Sequence, residues 1–174
     1  IAVARPPERT LAGPVVSHVV RAAVDLARPA IGAAIELRIE LDDTVHTLAT
    51  ADELEAMIVA AMLDAASPAP GLEQGAMQLS LVVRERLIQN RRWVEILRVD
   101  DRPRVVLEGR SESGPLHHWD GELAHMFEPP SLLHVVASVA KQAGGDASIA
   151  PGRGGLELAI ELPVAAALQS SSSS

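Results

Sequence analysis

The sequence predicts an α/β fold in which a mixed, mostly antiparallel sheet carries about three helices on one face. Three observations support this class. Segments with a helical period alternate along the chain with segments of period two, one long pair of strand-like runs is separated by only a short polar stretch, and the last helical segment ends at a glycine pair before a hairpin pattern. A chain of 174 residues, 48% of them hydrophobic, is the size of one domain with a real core.

The composition excludes several classes of function. The net charge of −8 argues against nucleic acid as a partner, and with Trp93, Trp119 and Phe127 as the only aromatic residues, stacking on bases is not expected. No cysteine is present, which excludes disulfides and thiolate metal sites and makes a reducing, cytoplasmic location the expectation. Charge or proline interrupts every apolar stretch, so we expect no direct membrane contact.

The first half of the chain reads as helix, strand, helix. Residues 11–30 have a helical period, and we expect Pro29 to end that helix. Residues 35–41, IELRIEL, alternate apolar and charged side chains as a strand with one solvated face does. The next segment, TADELEAMIVAAMLDAAS, predicts a strongly buried helix that Thr50 or Asp52 caps and that Pro68 stops.

The second half reads as strands, a helix and a closing hairpin. The runs AMQLSLVVRER (76–86) and RRWVEILRVD (91–100) flank Gln89 and Asn90, and a shorter run, RVVLEG (104–109), predicts a third strand of an antiparallel meander. Residues 111–122 read as a loop. Residues 130–145 predict a helix that ends at its glycine pair, and DASIA with GLELAIELP predicts a hairpin around PGRG.

Four segments carry a resemblance to a known family. Residues 14–42 resemble a first helix, a P-x-A turn and a first strand; LATADELEAMIVAAMLDAA resembles a short strand followed by a nucleotide-facing helix; MFEPP resembles a phenylalanine motif; and VAKQAGGDASIAPGRGGLELAIELP resembles a final helix and hairpin. Together they resemble the catalytic, ATP-binding domain of bacterial sensor histidine kinases. The resemblance implies a two-layer α/β sandwich over residues 11–165, with an extension at 1–10 and a flexible serine tail at 166–174.

The chain departs from the family where magnesium would bind. In the family pattern N-L-x-x-N-A, the second asparagine holds the magnesium that bridges the phosphates. The matching residues here are AAMLDA, so Ala60 and Asp64 replace the two asparagines. Asp64 still offers an oxygen, the kind of ligand that magnesium requires, but it also brings a negative charge toward a polyanion.

The adenine and phosphate motifs depart as well. In the family pattern D-x-G-x-G, the aspartate accepts a hydrogen bond from adenine and the glycines leave room for the base. Here VDDRPR keeps Asp100 and places Arg102 and Arg104 at the glycines, where their side chains fill space. The glycine-rich lid that wraps the phosphates is missing, because only Ser131 stands between Pro130 and Leu132.

These departures predict a degenerate member of the family, with no catalytic residue, no metal and no cofactor. Ala60, Asp64, Asp100, Arg102 and Arg104 mark the vestigial nucleotide site. We expect a non-catalytic module of bacterial two-component signalling that docks a response regulator or a kinase partner, or that joins a homodimer through an upstream region. The alternatives are an atypical histidine kinase that holds Mg-ATP through Asp64 and Asp100, and a phosphotransfer protein whose histidine lies on upstream helices.

Three other groups have ordinary structural interpretations that we prefer. The segment HHWDGELAH gathers candidate metal ligands with no established spacing, and we read it as a solvated loop. His18 and His134 lack the acidic neighbour that follows a phospho-accepting histidine in kinases. A cluster of arginines reads as a solvated hairpin tip rather than an anion site. The metal candidates are His117, His118, Asp120, Glu122 and His125, and the arginines are Arg84, Arg86, Arg91 and Arg92.

Overall fold

A computed structural model describes residues 13–32, 35–67, 77–101, 127, 129–152 and 155–165. Within these ranges the chain forms three helices and a sheet of five strands. In chain order they are α1 (Val16–Ile31), β1 (Ile35–Leu41), α2 (Ala51–Ala66), β2 (Met77–Ile88), β3 (Arg91–Asp100), α3 (Leu132–Gln142), β4 (Asp146–Gly152) and β5 (Gly155–Pro163). The predicted third strand at 104–109 and the histidine-rich segment at 117–125 lie outside the described residues.

The sheet has the order β1-β2-β3-β5-β4. Strands β1 and β2 run parallel, because α2 connects them, and every other neighbouring pair is antiparallel. The predicted mixed, mostly antiparallel sheet is confirmed. Between β2 and β3 the turn consists of Gln89 and Asn90, both with positive φ (51° and 64°), as a two-residue hairpin turn of the primed type requires.

Helix α1 corrects one prediction. Pro29 does not end the helix but lies within its last turn, and the helix continues to Ile31. A proline near the end of a helix removes one backbone hydrogen bond, and little helix follows it. The chain leaves the helix at Gly32, whose φ of 82° is a conformation that glycine adopts without strain.

Helix α2 begins at a capping box. The Thr50 side chain accepts from the backbone N–H of Glu53, and the Glu53 carboxylate accepts from the backbone N–H of Thr50. Of the two predicted caps, Thr50 is therefore the one used. One face of the helix is buried, as expected, through Leu54, Met57, Ile58, Ala61, Met62 and Ala65.

Helix α3 ends at the predicted glycine pair. Gly144 has a φ of 89°, its N–H bonds to the carbonyl of Lys141, and the N–H of Gly145 bonds to the carbonyl of Ala140. This is a Schellman motif, which satisfies two of the last carbonyls of the helix. The chain then enters the hairpin of β4 and β5, as predicted.

The core lies between the sheet and the helices and is built from aliphatic side chains and methionines. Inward positions alternate along each strand, as pleating requires. On β5 these positions are Leu156, Leu158, Ile160 and Leu162, all buried. On β3 the inward positions begin with Val94 and Ile96 and continue with two charged residues, Arg98 and Asp100.

Candidate functional site

A buried arginine lies at the inner face of the sheet. Arg98 occupies a position of β3 where the alternation predicts an apolar side chain, and only 1% of it is exposed. The charged guanidinium therefore lies inside the sandwich, between β3 and α2. A charge in that position has to be compensated by nearby charges and hydrogen-bond acceptors.

Two carboxylates and one carbonyl provide that compensation. Nη1 of Arg98 donates to Oδ2 of Asp64 at 2.9 Å and to the backbone carbonyl of Ala61 at 2.6 Å, both on α2. Nη2 of Arg98 lies 3.0 Å from Oδ2 of Asp100, a residue with 0% exposure at the end of β3. One guanidinium thus links α2 to the carboxyl end of β3 through two ion pairs.

The three side chains form a cluster with a formal charge of −1. Because Arg98 and Asp100 are shielded from water, their interaction is stronger than that of a surface pair, and the loss of either side chain is strongly destabilising. We call Arg98, Asp64 and Asp100 the buried triad. It uses carboxylate oxygens of both aspartates for contacts within the protein.

The structure brings together two of the predicted site residues and places a third nearby. Asp64 and Asp100 meet through the buried triad, and Ala60 lies on α2 one turn before Asp64, with its side chain buried. Arg102 and Arg104 lie outside the described residues. Sequence reasoning missed Arg98, although its signal was present: a charged residue two positions before Asp100 shares that residue's inward face.

A groove lies beside the triad on the helix layer. It has a volume of about 440 Å³ and is formed by α1, α2 and the first turns of α3. Ala60, one of the positions predicted from the sequence to belong to a vestigial nucleotide site, belongs to its lining. The lining residues are Leu26, Asp52, Glu55, Ala56, Val59, Ala60, Leu63, Leu132 and Val135.

A short segment precedes α3. Phe127 packs against the core, Pro129 and Pro130 form a turn, and Ser131 caps α3 by accepting from the backbone N–H of His134. The helix therefore begins at Leu132, two residues after Pro130. The ring of His134 stays local, with Nδ1 3.1 Å from the carbonyl oxygen of Phe127, and His18 is exposed on α1.

The arginine cluster of the β2–β3 hairpin is occupied by contacts within the protein. The buried Glu95 carboxylate accepts from Arg84 at 2.7 Å and from Arg86 at 2.6 Å. Arg92 pairs with Glu85, and the guanidinium of Arg91 lies 5.4 Å from the ring centre of Trp93. Glu95 raises the pKa of Arg86 through its hydrogen bond and its charge, so that guanidinium stays protonated.

Within the described residues, no group of three or more histidine, aspartate or glutamate side chains is arranged to hold a metal ion. In the same part of the chain, no helix is long and apolar enough to cross a membrane. The candidate ligands around His117 and His118 lie outside it.

The fold is that of the catalytic, ATP-binding domains of sensor histidine kinases, as the sequence resemblance implied. The catalytic domain of histidine kinase ThkA, in a nucleotide-free form, superposes with a TM-score of 0.64 at 12% identity, covering 86% of this chain and 92% of that one. The mycobacterial sensor histidine kinase MprB gives 0.59 at 15% identity, covering 85% and 93%.

A third similar structure is the ATP-binding domain of PrrB from Mycobacterium tuberculosis. It has a TM-score of 0.60 at 24% identity, over 87% of this chain and 95% of that one. No protein-family model matches the sequence, and no curated protein sequence matches it. At these identities the likeness establishes the fold alone.

Proposed function

We propose that this domain is a non-catalytic interaction module of two-component signalling, which keeps the fold of a histidine kinase ATP-binding domain and does not bind ATP. The observation that carries the proposal is the buried triad. By the resemblance, Asp64 stands where the magnesium-binding asparagine would be and Asp100 where the adenine-binding aspartate would be. Arg98 contacts both, 2.9 Å from one and 3.0 Å from the other.

The triad opposes a nucleotide in two ways. The Arg98 side chain lies between the two positions that a nucleotide would have to contact together, so the base and the metal compete with a guanidinium already in place. The two aspartates also bring negative charge toward a polyphosphate. A nucleotide would have to compete with Arg98 for both carboxylates, and the loss of a buried ion-pair partner costs about 3–5 kcal/mol.

The rest of the nucleotide site supports the same conclusion. Ala60 has no oxygen to offer a metal or a phosphate, and α3 begins directly at its Ser131 cap. Backbone N–H groups in a glycine-rich segment at the start of this helix are what hold the phosphates in the family. The metal and the phosphates therefore each lack the group that the family uses, and a base would have to share Asp100 with Arg98.

The alternative is an atypical ATP-binding histidine kinase. It requires Asp64 to hold magnesium and Asp100 to accept from adenine, and each of these carboxylates has an oxygen engaged by Arg98. No contact within the described residues favours this alternative. The partner of the module is proposed to be a response regulator or a kinase, and homodimerisation through an upstream region would be compatible with either.

Calorimetric titration of the full chain with Mg-ATP tests the proposal. We expect no saturable heat up to millimolar nucleotide, with the ATP-binding domain of PrrB as the positive control. Micromolar affinity for this chain would sink the proposal. Incubation with labelled ATP and candidate partners provides a second test, because phosphorylation that Asp64→Ala abolishes would establish the atypical kinase instead.

A further inference from the structure

The groove between α1, α2 and α3 has apolar walls that face solvent. Leu26 on α1 is 62% exposed and Val135 on α3 is 41% exposed, and they are two of only four large hydrophobic side chains of the described residues that are exposed. The remaining wall and floor are apolar apart from two acidic residues. An apolar groove with exposed walls on an otherwise charged surface is typical of an interaction site.

Acidic side chains mark one end of this groove. Asp52 and Glu55 are exposed, and neither makes an ion pair with any other described residue. Asp52 lies in the first turn of α2, where a negative charge also favours the helix dipole. Glu55 lies beyond that turn, so the dipole does not explain it. The charge at this end is complementary to a basic group.

The dimensions of the groove suit a helix. Its lining positions on α2 run from Asp52 to Leu63, a length of about 16 Å at roughly 1.5 Å per residue. Ala56 and Ala60 form a small-residue floor, which allows another helix to approach to the ~8–10 Å axial distance of close packing. A strand or an extended loop would leave backbone groups unpaired against this apolar lining.

Building on the proposed function, we propose that the groove binds one amphipathic α-helix of a partner protein, antiparallel to α2 and basic in its last turn. In that orientation the carboxyl end of the partner helix lies beside Asp52 and Glu55. Basic residues there complement the acidic pair and the partner's own helix dipole at once. Apolar side chains of the partner helix, spaced three and four residues apart, then contact Leu26 on one wall and Val135 on the other.

Fluorescence anisotropy with a designed peptide tests this inference on the full chain. The probe is a labelled helix of about 14 residues with leucines on one face and lysines in its last turn, and the comparison is a scrambled peptide of the same composition. We expect saturable binding of the helical probe alone. Leu26→Ser and Val135→Ser should each weaken it by about tenfold, since a buried aliphatic contact is lost. Leu87→Ser, at a side chain 67% exposed on the distant hairpin, is the matched control and should change nothing.

A charge exchange tests the orientation. Glu55→Lys should lower the affinity for the lysine-ended probe by about tenfold and raise the affinity for a glutamate-ended probe. The control Glu40→Lys makes the same change in net charge on β1 and should alter neither affinity. Equal binding of scrambled and helical probes, or equal effects of Leu26→Ser and Leu87→Ser, would overturn the inference. A Mg-ATP titration on the same samples separates the two proposals. If neither Mg-ATP nor the peptide binds, only the helix-binding role of the groove is refuted. If Mg-ATP binds with micromolar affinity, the proposed function is refuted.

Discussion

Arg98 and Asp64 are 34 positions apart in sequence, and their side chains meet at 2.9 Å inside the sandwich. The contact joins the central strand β3 to helix α2, the helix that carries the metal-binding asparagine in the histidine kinase family. Because Asp100 lies on the other side of the same guanidinium, one residue contacts both aspartates that we propose to be remnants of a nucleotide site.

Removal of the guanidinium should destabilise the fold. Arg98→Met removes the buried ion pair with Asp100 and the one with Asp64, and we expect the free energy of unfolding to fall by about 3–5 kcal/mol. Chemical denaturation of the full chain measures this loss. The matched control is Arg38→Met, at an exposed strand position whose ion pair with Glu36 spans 3.8 Å, and it should change stability by less than about 0.5 kcal/mol. Equal stability of the two variants would contradict the importance of the triad.

Restoration of the family's amide at one position should not restore nucleotide binding. Asp64→Asn keeps an oxygen that can accept from Arg98 but removes its charge, so we expect a loss of about 1–2 kcal/mol in stability. Mg-ATP should still give no calorimetric signal, because Arg98 remains in place and the phosphate lid is absent. The appearance of micromolar binding in this variant would show that the aspartate alone blocks the site.

A close approach of two strands holds Asp100 in position. Gly155 has a φ of 132°, and a Cβ at this position would overlap the carbonyl oxygen of Asp100. We expect Gly155→Ala to cost at least ~2 kcal/mol, the sum of backbone strain and overpacking. Gly32→Ala is the control: its φ is 82° but no described atom lies within 4 Å of the added methyl, so it should cost only the backbone strain, about 1–3 kcal/mol, and less than Gly155→Ala. Thermal unfolding of both variants checks the order.

The turn after β1 gives a pH dependence of known sign. The hydroxyl of Thr44, and then its backbone N–H, donate to Asp42 at 2.6 Å and 2.9 Å and hold the pKa of that carboxyl below its ordinary value. Because the pKa of Asp42 is lower in the folded state, its carboxylate stabilises the fold at pH values above its unfolded-state pKa. This stabilisation is lost as the pH falls through its folded-state pKa. Thr44→Val should raise the pKa of Asp42 toward its ordinary value while leaving it lowered, as an NMR titration can show. An unchanged pKa of Asp42 in this variant would show that the Thr44 hydroxyl is not the main cause of the lowering.

Local patterns predicted most of the fold. The alternation in IELRIEL, the Gln89 and Asn90 turn and the glycine pair after α3 each depend on neighbouring residues, and each is confirmed. The predicted end of α1 at Pro29 was wrong. A proline so close to the end of a helix removes few hydrogen bonds, and Gly32 is the residue at which the chain leaves the helix. These errors and successes both come from short-range backbone chemistry.

The candidate site was only partly predictable. The resemblance located Asp64 and Asp100, but their connection runs through a long-range contact that no local pattern contains. The alternation of β3 placed Arg98 on the inward face, yet a charged residue in a strand is ordinarily a solvated one. Only the packing of α2 against β3 identifies it as a buried partner of both aspartates.

A crystal structure grown with millimolar Mg²⁺ and a non-hydrolysable ATP analogue tests the central claim most directly. We predict the Arg98 guanidinium between Asp64 and Asp100, with no nucleotide beside α2. An adenine accepted by Asp100, with the guanidinium displaced from Asp64, would contradict the account.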